Sequence, residues 1–498
     1  MTALETIVMH LPALQIAVPL IAAPLCILMR GIYLSWFWTR FVTVIVFVMS
    51  CGLAWQVHKT GVISYELGGW AAPWGIEYRV DRLNAYVLLI VSTIGMMVVP
   101  FAFRSVQKEI PEDRHHLFYA AFLLCLTGLL GIAITGDAFN VFVFLEISSL
   151  SSYALIAMGR DRRALTAAFQ YLVMGTIGAT FILIGIGLMY QMTGTLNMAD
   201  LAKRLPAVAE TRPIMAAFAF FTVGVCLKLA LFPLHMWLPG AYAYAPSVVT
   251  AFIAATATKV SIYILLRFFF TIFGAEFSFD VLPLTGVLVI LSVMAIVAAS
   301  TSAIFQKNVK RLLAYSSVAQ IGYIILGISL VTVTGLTSGL LHMFNHALMK
   351  GALFLTLGAV YYRVGSVEME AMRGVGRQMP LTMFAFVIAG LSLIGVPMTA
   401  GFISKWYLLT ALFQMGWWPV AVLILASSLL AVVYIWKVVE VAYFQTPLPD
   451  AKPVKEVTFS MLMPIWVLAG ANVYFGIDTR LPVGLAGGAA KQLLGIGG

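Results

Sequence analysis

A few ionisable side chains stand inside otherwise apolar stretches of this 498-residue sequence. Glu146 lies in FVFLEISSLSS, about eight residues into its run, or roughly 12 Å from the end of a helix at 1.5 Å per residue. Lys228 lies in GVCLKLALFPLHMWLPGAY, Lys259 in ATKVSIYILL and Lys405 in GFISKWYLL. His342, His346 and Lys350 recur at every fourth position and so line one face of a helix. His235 falls between Pro233 and Pro239, and Pro397 precedes Lys405 by a short interval.

These residue types define a narrow chemistry. Lysine binds its proton less tightly when buried and more tightly beside a carboxylate. A lysine next to Glu146 would hold its proton, and would release it once the glutamate is neutralised or moves. A row of such groups is a proton relay switched by local charge. A sodium site would instead need several oxygen ligands, and only Glu146 supplies a carboxylate at mid-depth. The H-x-x-x-H spacing of His342 and His346 permits a metal, but no acidic or cysteine partner lies near, so no metal and no cofactor are expected. Each residue also has a purely structural reading. Glu146 and Lys259 can be paired for packing, Lys228 can extend toward a helix end, and the histidines can be neutral and hydrogen-bonded.

The elements that must position these groups follow from composition. The chain is 62% hydrophobic and 10% charged, with a mean hydropathy of +0.99, against roughly 25% charge in soluble proteins. It reads as an all-α polytopic membrane protein. Runs of about 20 residues, enough to span a bilayer, occur at 11–29, 35–56, 83–105, 116–135, 138–158, 164–191, 213–238, 246–272, 281–303, 311–333, 336–361, 380–409, 417–445 and 457–476. Between the second and third, GVISYELGGW and IEYRVD alternate apolar and polar residues, as in a small extramembrane hairpin. Residues 196–210 read as a short interfacial helix, and the tail after 477 as short and Gly-rich.

The net charge of +10 is carried by short loops, which argues for the positive-inside pattern rather than nucleic-acid binding. Loops after odd-numbered spans hold fifteen lysines and arginines against nine on the other side. The odd loops are therefore expected in the cytoplasm of a prokaryotic cell with the chain in its inner membrane, both termini facing outward. Asp137, Glu440, Trp417 and Trp418 lie near span ends, as interfacial residues do. The four cysteines show no C-x-x-C spacing and read as packing residues. No basic segment precedes the first apolar run, so that run is expected to be a retained span.

The chain divides into 1–110 with three spans and the hairpin, 111–275 and 276–445 with five spans each, and 446–498 with the last span and tail. The fourth span of each five-span unit carries prolines and a lysine: Lys228 with Pro233 and Pro239, then Pro397 with Lys405. Because five is odd, two such units would be inverted in the membrane, and matching breaks in two halves point to a transport site.

Seven stretches in order then carry a resemblance: TGDAFNVFVFLEISSLSSYALIA (135–157), TGTLNMADL (193–201), KLALFPLHMWLPGAYAYAP (228–246), TKVSIYILLR (258–267), NVKRLLAYSSVAQIGY (308–323), HMFNHALMKGALFL (342–355) and GVPMTAGFISKW (395–406). Over roughly 70–440 the chain resembles the antiporter-like subunits of the complex I superfamily, and within them the D-type subunits of Mrp-type multisubunit Na⁺/H⁺ antiporters. The resemblance implies fourteen helices in two inverted five-helix repeats, with helices seven and twelve broken. It implies a Glu146–Lys228 pair, a central Lys259, a histidine-bearing helix with His342 and His346, and an exit at Lys405. It also implies partner subunits in a hetero-oligomer within the lipid bilayer, with protons as cargo; whether Na⁺ is handled by this chain or by its partners stays open. The lysine at 405 departs from the glutamate usual in the middle antiporter-like chain of complex I, and Gly240 replaces an acid that many relatives carry after WLP. The expected role is thus an ion-transporter subunit rather than an enzyme. Two alternatives stay open: a proton-pumping subunit of a redox complex of the hydrogenase or complex I type, and a non-conducting membrane scaffold.

Overall fold

A computed structural model describes residues 3–449 and 452–496. The helices are α1 (Ala3–Leu28), α2 (Ile32–Thr60), α3 (Arg82–Glu109), α4 (His115–Ile134), α5 (Ala138–Ala157), α6 (Arg163–Thr193), α7 (Met198–Arg204), α8 (Arg212–Leu229), α9 (Trp237–Tyr244), α10 (Ser247–Leu266), α11 (Leu284–Ile304), α12 (Val309–Ser329), α13 (Val333–Val364), α14 (Val375–Gln378), α15 (Pro380–Ile394), α16 (Ala400–Gln414), α17 (Trp418–Phe444), α18 (Phe459–Ile477) and α19 (Arg480–Leu493). Among the described residues, thirteen helices are long and apolar enough to cross a membrane. The run over 380–409 is broken, as expected, into two 15-residue helices, α15 and α16, separated at 395–399.

The starts of these helices are set by side chains that accept the free backbone N–H groups. Asp81 and Asn84 form a reciprocal capping box on α3. Asp137 accepts from the Asn140 amide at 2.7 Å on α5, and Asn308 caps α12 from the Arg311 amide at 3.1 Å. Asp137 is therefore a cap at a helix end, in keeping with its interfacial reading. Strands β1 (Ile63–Glu66) and β2 (Glu77–Val80) pair antiparallel, with Ile63 opposite Val80 and Glu66 opposite Glu77, which realises the hairpin expected from the alternation. The expected interfacial helix is α7 followed by a 3₁₀ turn at Leu205–Val208.

Three helices form an almost wholly buried spine, α10, α12 and α13, while α1, α2, α6, α17 and α18 leave much of their surface outward. Exposed residues such as Phe169, Phe41 and Leu429 lie on that outer set, where bilayer chains would cover them. Small residues let the helices approach. A Cβ on Gly224 of α8 would lie 2.6 Å from the Gly178 carbonyl oxygen of α6, so only glycine fits that crossing.

Helix seven is broken as expected: the run at 213–238 stops as a helix at Leu229 and resumes only at Trp237, because Pro233 has no amide to donate and Ala230 turns into the left-handed region at φ 59°. The run at 246–272 is one span, Ser247–Ile272, whose last turn, Arg267–Ile272, is π-helical. One expectation needs correction. The Gly-rich tail contains α19, which packs on α3 and α13; its glycines cluster within an alanine-rich helix rather than preventing one.

One buried ion pair joins the hairpin end to the spine. Arg267 Nη1 lies 2.8 Å from Asp81 Oδ2, and its other terminal nitrogen reaches Asn84 Oδ1 at 2.8 Å. Removing one partner of a buried pair leaves an uncompensated charge, which costs about 3–5 kcal/mol. Arg267→Met should therefore lower the apparent melting temperature in detergent by several degrees. The double variant Asp81→Asn/Arg267→Met, which keeps a capping side chain, should recover most of it. Equal destabilisation by the single and double variants would remove the pair from this role.

Candidate functional site

The expected site residues fall into three groups along the spine. The first lies where α5, α6 and α8 meet. Lys228 is in the last turn of α8, and its Nζ stands 3.9 Å from Glu146 Oε1 on α5. The hydroxyl of Ser149, one turn beyond Glu146, takes the shorter contact from that Nζ at 2.8 Å. Glu146 Oε1 has no hydrogen-bond partner, and about a quarter of the Glu146 side chain is exposed. The charge pair is the stronger of the two interactions despite its length. Two unit charges near 4 Å at an effective dielectric near 20 interact by about 4 kcal/mol, whereas a hydrogen bond from an ammonium to a hydroxyl nets about 1.5–3 kcal/mol. The lysine thus has a polar resting partner in Ser149 and a charged partner that it does not clasp.

The α8 break explains why Lys228 can stand there. The carbonyls that the broken helix frees must be satisfied internally at membrane depth. Leu231 N donates to Cys226 O at 3.0 Å, and the Trp237 indole donates to Leu227 O at 3.0 Å. Pro233 lies in the non-helical link, and Pro239 lies in α9. His235 is buried in the same link, stacked on Phe232 with ring centroids 5.2 Å apart, and its Nδ1 has no partner. It belongs to the break and makes no contact with the α13 histidines.

The second group is central. Lys259 is fully buried and donates to Ala254 O at 2.6 Å and to Thr258 Oγ1 at 3.4 Å. His342 and His346 stack one turn apart on α13, with centroids 6.4 Å apart and planes within 9°. His342 is held on both ring nitrogens, at 2.8 Å from Ser404 Oγ and 2.8 Å from Gln320 Oε1. His346 is fully buried with neither ring nitrogen hydrogen-bonded. The helices that carry Lys259 and Lys405, α10 and α16, both pack against α13. Lys350 donates to Leu313 O at 2.8 Å and to the Ser316 hydroxyl in a very short contact.

The third group is the second broken helix. Lys405 of α16 reaches back across the break and donates to Ile394 O at 2.7 Å and Leu393 O at 3.3 Å, the freed carbonyls of α15. It also donates to Ser428 Oγ at 3.1 Å and lies 4.8 Å over the Tyr323 ring. The two breaks therefore solve their charge differently. Lys228 precedes its break and faces a carboxylate, while Lys405 follows its break and is solvated by helix-end carbonyls. Pro397 lies within that second link.

The structure thus buries Lys405, His342, Lys259, His346 and Lys350 on α13 and on α10 and α16, which pack against it, and sets Glu146 with Lys228 on α5 and α8, of which α8 packs against α10. Among the described residues no hydrogen bond joins Lys228 to Lys259, and no carboxylate pairs with Lys259, Lys350 or Lys405. Sequence reasoning passed over the polar groups that hold the line: Ser149, Ser316, Gln320, Ser404 and Ser428. The signal was present in ISSLSS and AYSSVAQ, where hydroxyls and an amide interrupt apolar helices.

Residues 135–432 match the transmembrane family described as NADH:quinone oxidoreductase/Mrp antiporter, and the chain belongs to that family. It is similar to the N-type subunit of the NADH-quinone oxidoreductase of Desulforudis audaxviator, at 42% identity over 94% of this chain and 96% of that one. It is similar to the D-type subunit of the Na⁺/H⁺ antiporter of Bacillus subtilis, at 28% identity over 97% of this chain and 96% of that one. Its fold matches a chain of the Mrp complex from Dietzia sp. DQ12-45-1b with a TM-score of 0.91 and 25% identity, covering 98% of each.

Gly395 gives the site its own test. Its φ is +92°, and a Cβ there would lie 2.9 Å from Lys405 Cδ. Gly395→Ala should displace the ammonium from the α15 carbonyls and slow ion transport several-fold. Gly416→Ala, at φ +71° with nothing near the added methyl, should carry similar backbone strain and transport normally. The measurement is initial transport rate in membrane vesicles at matched protein abundance.

Proposed function

We propose that this chain is the proton-translocating membrane subunit of a multisubunit Na⁺/H⁺ antiporter. The observation that carries this reading is the Glu146–Lys228 pair, 3.9 Å apart with the near carboxylate oxygen unpartnered, beside a buried line of bases with no further carboxylate. With Glu146 ionised, the Lys228 ammonium is held between it and Ser149. Neutralising Glu146, or moving it outward, removes the attraction that holds the charge. The field felt by Lys259 then changes, and with it the proton affinity of His346 and His342 further along. Lys405, solvated by carbonyls at its helix break, is the last base before release.

The B. subtilis and Dietzia relatives support the antiporter assignment and a hetero-oligomeric setting. We place the chain in the inner membrane of a prokaryote. The Lys/Arg-rich loops, which include Arg160, Arg163 and Lys310, face the cytoplasm, and both termini face outward. The second reading is a proton pump powered by a redox partner, favoured by the 42% identity to an NADH-quinone oxidoreductase chain. Copurification in mild detergent separates the two, since iron–sulfur or flavin subunits would accompany only the second. A scaffold with no proton path has no use for buried ammonium groups, each of which costs on the order of 2.5–3.5 kcal/mol on insertion scales.

Glu146→Ala and Lys228→Ala should each cut the antiport rate in vesicles at least about tenfold, the scale on which lost proton transfer acts. Near-normal rates in both, at normal membrane abundance, would remove the pair from transport.

A further inference from the structure

Glu109 and Lys310 occupy loop-like positions in the sequence, yet both are buried, at 8% and 3% exposure. They form the floor of a surface cavity of about 180 Å³ where α3 ends and α10 and α12 begin. The rim carries exposed Arg160, Arg163 and Glu368, so the cavity opens to solvent on the Lys/Arg-rich face.

The two floor residues differ in how they are held. Glu109 is fully engaged: it accepts from Ser105 Oγ at 2.6 Å, Ser247 N at 2.8 Å and Ser247 Oγ at 3.0 Å. It anchors the first turn of α10. Lys310 donates one hydrogen bond, to Ala245 O at 3.2 Å, and its Nζ lies 5.4 Å from the Tyr361 ring centre. It sits in the first turn of α12, where the helix dipole disfavours a cation. The charged and titratable groups around it are Lys108 and Glu109 from α3, Tyr244 from α9, Tyr361 from α13, Arg160, Asp161 and Arg163 from the α5–α6 turn, and Glu368 from the segment after α13. No carboxylate among them pairs with Lys310. Asp161 is committed to Arg163 at 2.8 Å, which holds its carboxyl below the usual range.

Inward from Lys310 the polar groups continue. Ser317 lies seven residues on, on the same face of α12 and about 10 Å deeper. Ser317 Oγ and Ser316 Oγ both donate to Leu313 O, at 3.1 and 2.8 Å. That same carbonyl accepts from Lys350 at 2.8 Å. The cavity floor and the buried line thus share one helix and one hub.

We propose that Lys310 is the residue through which protons pass between this cavity and Lys350, so that the cavity is the aqueous mouth of the line on the Lys/Arg-rich face. The neutral Lys310 amine takes a proton from solvent in the cavity. The ammonium passes it inward through water that crosses the roughly 10 Å to Ser317, along the face lined by that hydroxyl, to the Ser316 hydroxyl, which gains that proton as it gives its own to the neutral amine of Lys350. Lys310 is left neutral, and transport in the other sense runs the same steps backward. This proposal rests on the proton-translocating reading above, and its tests fail separately.

Antiport is measured in vesicles carrying the whole complex, with Lys310→Arg, Lys310→His, Ser316→Ala/Ser317→Ala and Lys259→Ala. Arginine keeps the charge and the donors but does not release its proton, so Lys310→Arg should lose at least about tenfold in rate. Lys310→His should keep partial activity with its optimum moved to lower pH, since histidine titrates near 6.5. The serine pair should slow transport several-fold with normal assembly. A wild-type rate and pH profile in Lys310→Arg would make Lys310 a structural charge and overturn the proposal. Where a Lys310 variant fails to assemble, the serine pair decides: a full rate overturns the route, and a reduced rate with normal assembly supports it. Normal transport in Lys259→Ala would instead sink the underlying proton-translocating reading.

Discussion

An ammonium group inside a bilayer must be either neutral, paired or solvated by the protein itself, and this chain has too few acids to pair its lysines. That shortage governs the architecture. Lys228 is given the one mid-depth carboxylate at a separation that attracts without clasping. Lys405 is given the carbonyls of a helix that stops short. Lys259 and Lys350 are given a backbone oxygen each and a neighbouring hydroxyl. Each solution needs backbone that does not complete its own helical hydrogen bonds, or hydroxyls aimed inward. Breaks and serines are therefore requirements of the charge arrangement, and the almost wholly buried α10–α12–α13 spine keeps lipid away from it.

The difference between the two breaks matters for direction of control. A lysine beside a carboxylate responds to the protonation and position of that carboxylate. A lysine solvated by fixed carbonyl dipoles responds to the geometry of the helix end. Lys228 therefore depends on a charged neighbour and Lys405 on the backbone of a helix end.

Much of this was legible in the sequence. A lysine or glutamate within an apolar run stands out, and prolines near Lys228 and Lys405 marked both interruptions, so the all-α membrane class, the hairpin and both breaks could be read directly. Burial of charges near span ends could not. Arg267, Lys310 and Glu109 sit where a loop charge would sit, and nothing local distinguishes an arginine in water from one closed over Asp81 by a π-helical turn. The tail misled because glycine content was weighed above its alanine-rich pattern and the packing offered by α3 and α13. Serines escaped notice for a different reason: a hydroxyl is cheap in a helix that satisfies it internally, so only its three-dimensional neighbour reveals whether it has a second use.

The length of α13 has one more consequence. This single helix runs unbroken for 32 residues through the protein, carrying His342, His346 and Lys350 as rungs whose spacing is fixed by helical geometry. No local hinge in α13 can vary the gaps between them. The rigid helix is thus a ruler for these three side chains, and irregular backbone is left to the interrupted helices that flank it.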